Sequence, residues 1–170
     1  VASELVHSLL DLPPFDNSAM DGYALRFADL EGDGPWTLKI AGRSAAGDSV
    51  KDVTYPPASA VRILTGAPLP EGFDAVVMQE HCRVDGEFVT ISKRPTGHCN
   101  IRRRGEDVSR GDVLVQRGDL LSAQKLSLLA GSGHASVTVL RKVKIGLIST
   151  GSELRDPGED LTPGQIYNTN

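Results

Sequence analysis

The chain has 170 residues, 39% of them hydrophobic and 24% charged, which is ordinary for a globular protein with room for a core. A net charge of -4 and an isoelectric point near 5.5 give no general attraction for nucleic acid or anionic membrane, so bulk binding to either is not expected. The apolar runs are strand-sized and the N-terminus has neither a basic flank nor a signal-like core, so the sequence reads as cytoplasmic.

In chain order, Ser3 is placed to cap a short helix over residues 4–10, where Leu5, Val6, Leu9 and Leu10 recur on one face. Leu12 to Arg26 follows, LPPFDNSAMDGYALR, where Pro13 and Pro14 hold the chain extended and Asp16, Asn17 and Ser18 can each accept a backbone N–H. Asp21-Gly22 is a turn dipeptide leading into Tyr23-Ala24-Leu25, so the local reading is an acidic hairpin tip. From Gly22 to about Thr96 the pattern is strands and turns. Trp36, Leu38 and Ile40 alternate with Thr37 and Lys39, Asp74 to Met78 reads as a buried strand, and Asp85-Gly86 marks a two-residue hairpin within Val84 to Ser92. With 18 Gly and 10 Pro in the chain, a small antiparallel β-barrel-like domain fits this region.

Beyond Gly105, Val113 to Val115 reads as a short strand, Gly118-Asp119 as a turn, and a helix begins after an N-cap at Ser122, with Gly131 suited to its C′ position. Val137 and Val139 alternate as a last local strand. Lys144 to Ser149 then looks like a parallel strand delivering the Ser149-Thr150-Gly151 loop to its carboxyl end.

Several residues carry possible chemistry. The small residues of Thr65-Gly66-Ala67-Pro68 allow close approach by a backbone or a ligand, and Ser149, Thr150 and Gly151 offer donors to a phosphate. Arg102, Arg103 and Arg104 can either pair with the neighbouring Glu106 and Asp107 or grip a phosphate. His81-Cys82 and His98-Cys99 invite a zinc reading. Adjacent strand residues face opposite ways, however, and no C-x-x-C spacing exists, so packing and turn roles are preferred.

FDNSAMDGYA, AVRILTGAPLPEGFDAVVMQE, NIRRRGEDV and GLISTGSEL with GQIYN occur in this order, and together they resemble the molybdopterin molybdenumtransferase family, which includes MoeA and the gephyrin E domain. The resemblance implies a fold that is mainly β with α+β character. Residues 1–14 and 105–140 would belong to an elongated linker domain, 15–104 to the β-barrel-like domain, and 141–170 to the start of a truncated α/β molybdopterin-binding domain. It also implies that Asp21, Thr65, Asp107 and Glu153 line the active site, that Asp21, Asp107 and Glu153 bind Mg²⁺, and that Ser149, Thr150 and Gly151 contact the cofactor. Carboxylates are hard ligands that suit Mg²⁺ beside substrate phosphates. The implied reaction inserts molybdate-derived metal into adenylylated molybdopterin with release of AMP, in a homodimeric parent. The gephyrin-type alternative is a scaffold that binds partner peptides. Many relatives carry an acidic residue where this chain has Ser152, which leaves Glu153 as the only carboxylate of that motif. Val1 is not a start residue and Asn170 falls inside a motif, so the chain reads as a fragment, expected to be inactive alone.

Overall fold

The computed structural model describes residues 1–49 and 53–170. In chain order the strands are β1 (Val6–His7), β2 (Asn17–Ser18), β3 (Gly22–Leu25), β4 (Trp36–Ser44), β5 (Ser59–Ile63), β6 (Ala75–Met78), β7 (Cys82–Asp85), β8 (Phe88–Ile91), β9 (Ile101–Arg102) and β10 (Val113–Val115). The helix α1 (Ala123–Gly131) follows, then β11 (Leu154–Arg155) and β12 (Ile166–Tyr167). The chain divides into two compact units, Val1–Val139 and Leu140–Asn170, each described by itself.

Six strands make the main sheet, in the order β6-β3-β5-β4-β8-β7. β3 is buried along its whole length because it lies between β5 and β6 with apolar layers on both faces. Tyr23 and Leu25 join Trp36, Leu38, Val77, Val89 and Ile91 in one core. Ala24 points the other way, into a second core with Val61, Ile63, Phe73 and Val76. The period of two along a strand thus serves two cores at once. Along β4 the same period buries Trp36 and Leu38 and exposes Thr37 and Lys39.

The sheet is forced to curl. Its edge strands β6 and β7 are joined by a single 3₁₀ turn of three residues, Gln79–His81. Six flat strands would separate those edges by about 24 Å at the usual inter-strand spacing, and the link reaches at most about 14 Å. The outcome is a curled half-barrel rather than a flat layer, as the barrel-like expectation required. One feature departs from it: β4 and β5 run parallel, so the sheet is mixed and not purely antiparallel.

Around the sheet, several local expectations give way to tertiary pairing. Residues 4–10 form no helix. Val6–His7 pairs with Val113–Val115, and the Ser3 hydroxyl donates to the Thr138 carbonyl at 3.1 Å instead of capping a helix. Pairing with a distant strand outweighs the weak helical period of so short a segment. Val6, Val115, Leu129 and Ala2 close a third small core there. Asp21-Gly22 is not a hairpin tip either, because β2 pairs with β9 while β3 pairs with β5 and β6. The β7–β8 hairpin forms, with Gly86-Glu87 as its two loop residues and Asp85 still paired in the strand. Ser122 caps α1 as expected, its Oγ accepting from Lys125 N at 3.4 Å. Gly131 ends the helix, and the left-handed conformation falls to Gly133, with φ at +96°. Val139 makes one isolated bridge to Ala2 in place of a full strand.

In the second unit residues 144–149 form no strand, and the parallel pairing present is the short β11–β12 ladder. No helix among the described residues is long and apolar enough to cross a membrane.

Two expectations follow from this packing. A Cβ on Gly22 would lie 2.0 Å from the Val77 carbonyl oxygen, whereas one on Gly86 would meet open space. Gly22→Ala should therefore cost about 3 kcal/mol or more, the range of severe core substitutions, and clearly more than Gly86→Ala by denaturant titration. The amides of Ile145 to Ile148, outside any ladder, should exchange with solvent long before those of Val76 and Val77, which hydrogen exchange will measure.

Candidate functional site

At the start of β3, Asp21 accepts two hydrogen bonds on the same oxygen, Oδ1: from Thr65 N at 2.7 Å and from Thr65 Oγ1 at 2.8 Å. Its other oxygen, Oδ2, remains available at the surface. The Thr65 amide and then its hydroxyl hold the Asp21 carboxyl below the usual carboxylate range, with the charge of Arg62 adding to the effect. Asp21 is therefore ionised at neutral pH. Its backbone is equally fixed: Gln79 N donates to Asp21 O at 3.0 Å, and Arg62 donates to Gly22 O at 2.8 Å. The same guanidinium reaches Gln79 Oε1 at 2.5 Å and lies 5.2 Å from the Tyr23 ring centroid.

The loop carrying Thr65 is anchored from behind. Gly66 N donates to Ser18 O, Ser18 N to Ala67 O, and Leu69 N to Asp16 O, at 2.8 to 3.0 Å. Ser44 Oγ holds the Pro68 carbonyl at 2.9 Å. A further loop joins them through β9, with Ala19 N donating to Asn100 O. Three segments distant in sequence, 12–26, 64–70 and 98–108, thus meet at one end of the sheet.

The arginine run is the clamp between them. Arg102 is ion-paired to Asp107 and lies 3.6 Å from Glu106. Arg103 reaches Asp16 Oδ2 at 2.5 Å and His98 at 2.9 Å. Arg104 reaches Asp11 Oδ2 at 2.6 Å, while its amide donates to Asp16 Oδ1 at 2.8 Å. Each arginine has an internal carboxylate partner, but only Arg102 takes the neighbouring Glu106 and Asp107 expected from sequence; the side chains of Arg103 and Arg104 take Asp16 and Asp11 instead. For Asp16, burial pushes the carboxyl up, but the Arg104 amide and the Arg103 guanidinium together hold it below its ordinary value. Asp11 is lowered by the Arg110 amide and by Arg104. Asp11, Asp16, Arg62 and Gln79 were not singled out from sequence as site residues. The one available signal was the arginine run, which needed acidic partners.

The structure thus brings Asp21 and Thr65 into direct contact, and places Asp107 on the neighbouring clamp, bonded to Arg102 rather than to either of them. Ser149, Thr150, Gly151 and Glu153 lie in the second unit, where Ser149, Gly151, Leu154, Arg155 and Asn168 line a polar hollow of about 230 Å³. Among the described residues no three His, Cys, Asp or Glu side chains gather as a metal-holding group. Asp21 offers a Mg²⁺ ion one free oxygen, and Asp107 is engaged by Arg102, so these two do not assemble the implied ion site. The thiols serve packing: Cys82 Sγ bonds Met78 O and Cys99 Sγ bonds Val76 O, and burial pushes the Cys82 thiol up to about 11.

An exposed, ionised carboxylate thus stands at the head of a buried strand in a mainly β module, fixed from behind by the Thr65 loop. Residues 1–133 match the family model described as the MoeA N-terminal region, domains I and II, and the chain belongs to that family. It is 47% identical over its whole length to the molybdopterin molybdenumtransferase of Haemophilus influenzae and spans 42% of that protein. Over 95% of the chain it is 43% identical to molybdopterin molybdenumtransferase 2 of Mycobacterium tuberculosis, of which it spans 40%. A crystal structure of a molybdopterin biosynthesis MoeA protein from Pyrococcus horikoshii superposes with a TM-score of 0.83 at 34% identity, covering 93% of this chain and 43% of that one.

The clamp makes stability depend on pH in a stated direction. The Asp16 carboxyl is held below its ordinary value of about 3.8, so its contribution is complete well above that pH and is lost as pH falls through it toward the lowered value of the folded state. Asp16→Asn should lower stability at pH 7 by about 0.5 to 1 kcal/mol, the scale of a solvent-screened pair. It should also flatten the acid limb of a stability curve followed from pH 6 to pH 2 by circular dichroism.

Proposed function

We propose that this chain is the N-terminal and central part of a molybdopterin molybdenumtransferase, a cytoplasmic enzyme of molybdenum cofactor biosynthesis, and that Asp21 and Thr65 form one wall of its active site. The observation that supports this most directly is the pair of hydrogen bonds that Thr65 donates to a single oxygen of Asp21, at the junction of three of the four segments that resemble the family. The relatives' printed names supply the substrate class.

In this reading the substrates are molybdate and adenylylated molybdopterin, and a water oxygen attacks the phosphoanhydride, so that its P–O–P bond breaks to give AMP and the molybdopterin phosphate. The protein contributes placement and charge rather than a covalent nucleophile. An ionised carboxylate repels molybdate and phosphate alike. The free Oδ2 of Asp21 therefore serves donors on the substrate, such as N–H or hydroxyl groups, while Thr65 keeps the other oxygen from rotating into their place. Asp107 acts through Arg102, holding the clamp that seats the Asp21 loop. Ser149, Thr150, Gly151 and Glu153 complete the site in a longer, dimeric protein. The Mg²⁺ implied by the resemblance finds no grouped set of ligating side chains among the described residues, and no step is routed through it. The 170-residue chain alone should not turn over.

The test is metal insertion in the longer protein that contains this chain, assayed with adenylylated molybdopterin and molybdate. Asp21→Asn keeps the shape and removes the charge, and should lower kcat/KM by about 10²-fold or more, the scale of a lost preorganised electrostatic contact. Full activity in that variant would return Asp21 to a turn-forming role.

A further inference from the structure

The curl of the sheet creates a second feature that the Asp21 site does not use. Where β6 runs through the Gln79–His81 turn toward β7, a hollow of about 320 Å³ opens between the end of β6 and the 93–100 segment. His81, Lys93, Arg94, Thr96 and Asn100 line it above Val76 and Met78, with no carboxylate in the lining. A neighbouring hollow of about 430 Å³ shares His81 and Lys93 and adds Arg83, with Glu80 as its one acidic residue. We propose that this seam is a binding site for a small molecule bearing an oxyanion, phosphate or carboxylate, with Arg94 as its anchor.

Three observations carry the assignment. The first is charge. The chain is net acidic, yet three permanent cations and a histidine converge here on one carboxylate, and none of Arg83, Lys93, Arg94 or His81 takes part in an ion pair among the described residues. By contrast, the arginine run at 102–104 is fully paired internally.

The second is preorganisation. The Arg94 guanidinium lies 4.8 Å from the Phe27 ring centroid and 5.7 Å from that of Trp36, and donates to Gly32 O at 3.2 Å. Trp36 is itself fixed, buried and donating to Glu31 O at 2.7 Å. A guanidinium stacked on aromatic faces keeps donors at its edge, and an anion there meets a cation already placed, with little ordering left to do.

The third is the wall. Asn100 Nδ2 and Cys99 Sγ both bond the Val76 carbonyl, at 2.8 and 3.2 Å, and His98 and Asn100 take left-handed φ values of +61° and +55°. The segment that carries Lys93 to Thr96 is thereby tied down just beyond them. This inference is independent of the role assigned to Asp21.

The experiment is a titration of the whole 170-residue chain with inorganic phosphate and, separately, with succinate, following backbone amide resonances at low salt. Saturable shifts confined to His81 and residues 93–100 are expected. The Lys93 side chain bonds nothing among the described residues, and Lys93→Gln should weaken binding about tenfold, equivalent to about 1.4 kcal/mol. Arg94→Met should weaken it further. Arg43→Gln, a cation elsewhere on the sheet, should leave it unchanged. A preference for phosphate or for succinate decides between the two anion classes. Shifts that fail to saturate, that spread over all surface cations, or that persist undiminished in Lys93→Gln would overturn the proposal.

Discussion

The approach of two backbones at Gly22 governs much of this structure. The Val77 carbonyl oxygen occupies the space that any larger residue would need for its Cβ, so β3 and β6 can draw together only because that position is glycine. With the two strands in register from Gly22–Met78 to Leu25–Ala75, β3 is sealed on both edges and both faces. Asp21, one residue upstream, then has a backbone that cannot adjust, and its carboxylate emerges at a fixed point beside the Thr65 loop. The placement of that carboxylate is a consequence of strand packing.

The arginine clamp complements that rigidity from the other side. Asp16 is its hub: Oδ2 accepts from the Arg103 side chain and Oδ1 from the Arg104 amide, while its own carbonyl accepts from Leu69 N. Such partly exposed ion pairs add little stability singly. Their value is geometric, since across 87 and 88 residues of sequence they reinforce a junction that strand pairing holds only through the two-residue β2–β9 ladder. The same accounting separates the two cationic regions. Arginines 102–104 are consumed by internal carboxylates, and the seam around Arg94 is not.

The sequence alone determined whatever rests on local rules or on collinear motifs. Alternation marked β4, the apolar runs marked β6 and β10, Ser122 marked the helix start, and the four motif segments marked the family. These signals survive because each depends on neighbours within a few residues. Pairings across the chain were beyond it. Only the tertiary structure decided that residues 4–10 would give up a helical period to pair with residues near 113, that β4 and β5 would run parallel, and that Asp107 would turn to Arg102 while Asp21 turned to Thr65. A turn former such as Asp21 has the same local chemistry whether it closes a hairpin or heads a buried strand. The difference lies in Val77 and Thr65, 56 and 44 residues away, which come beside it only when β3 pairs with β6 and β5.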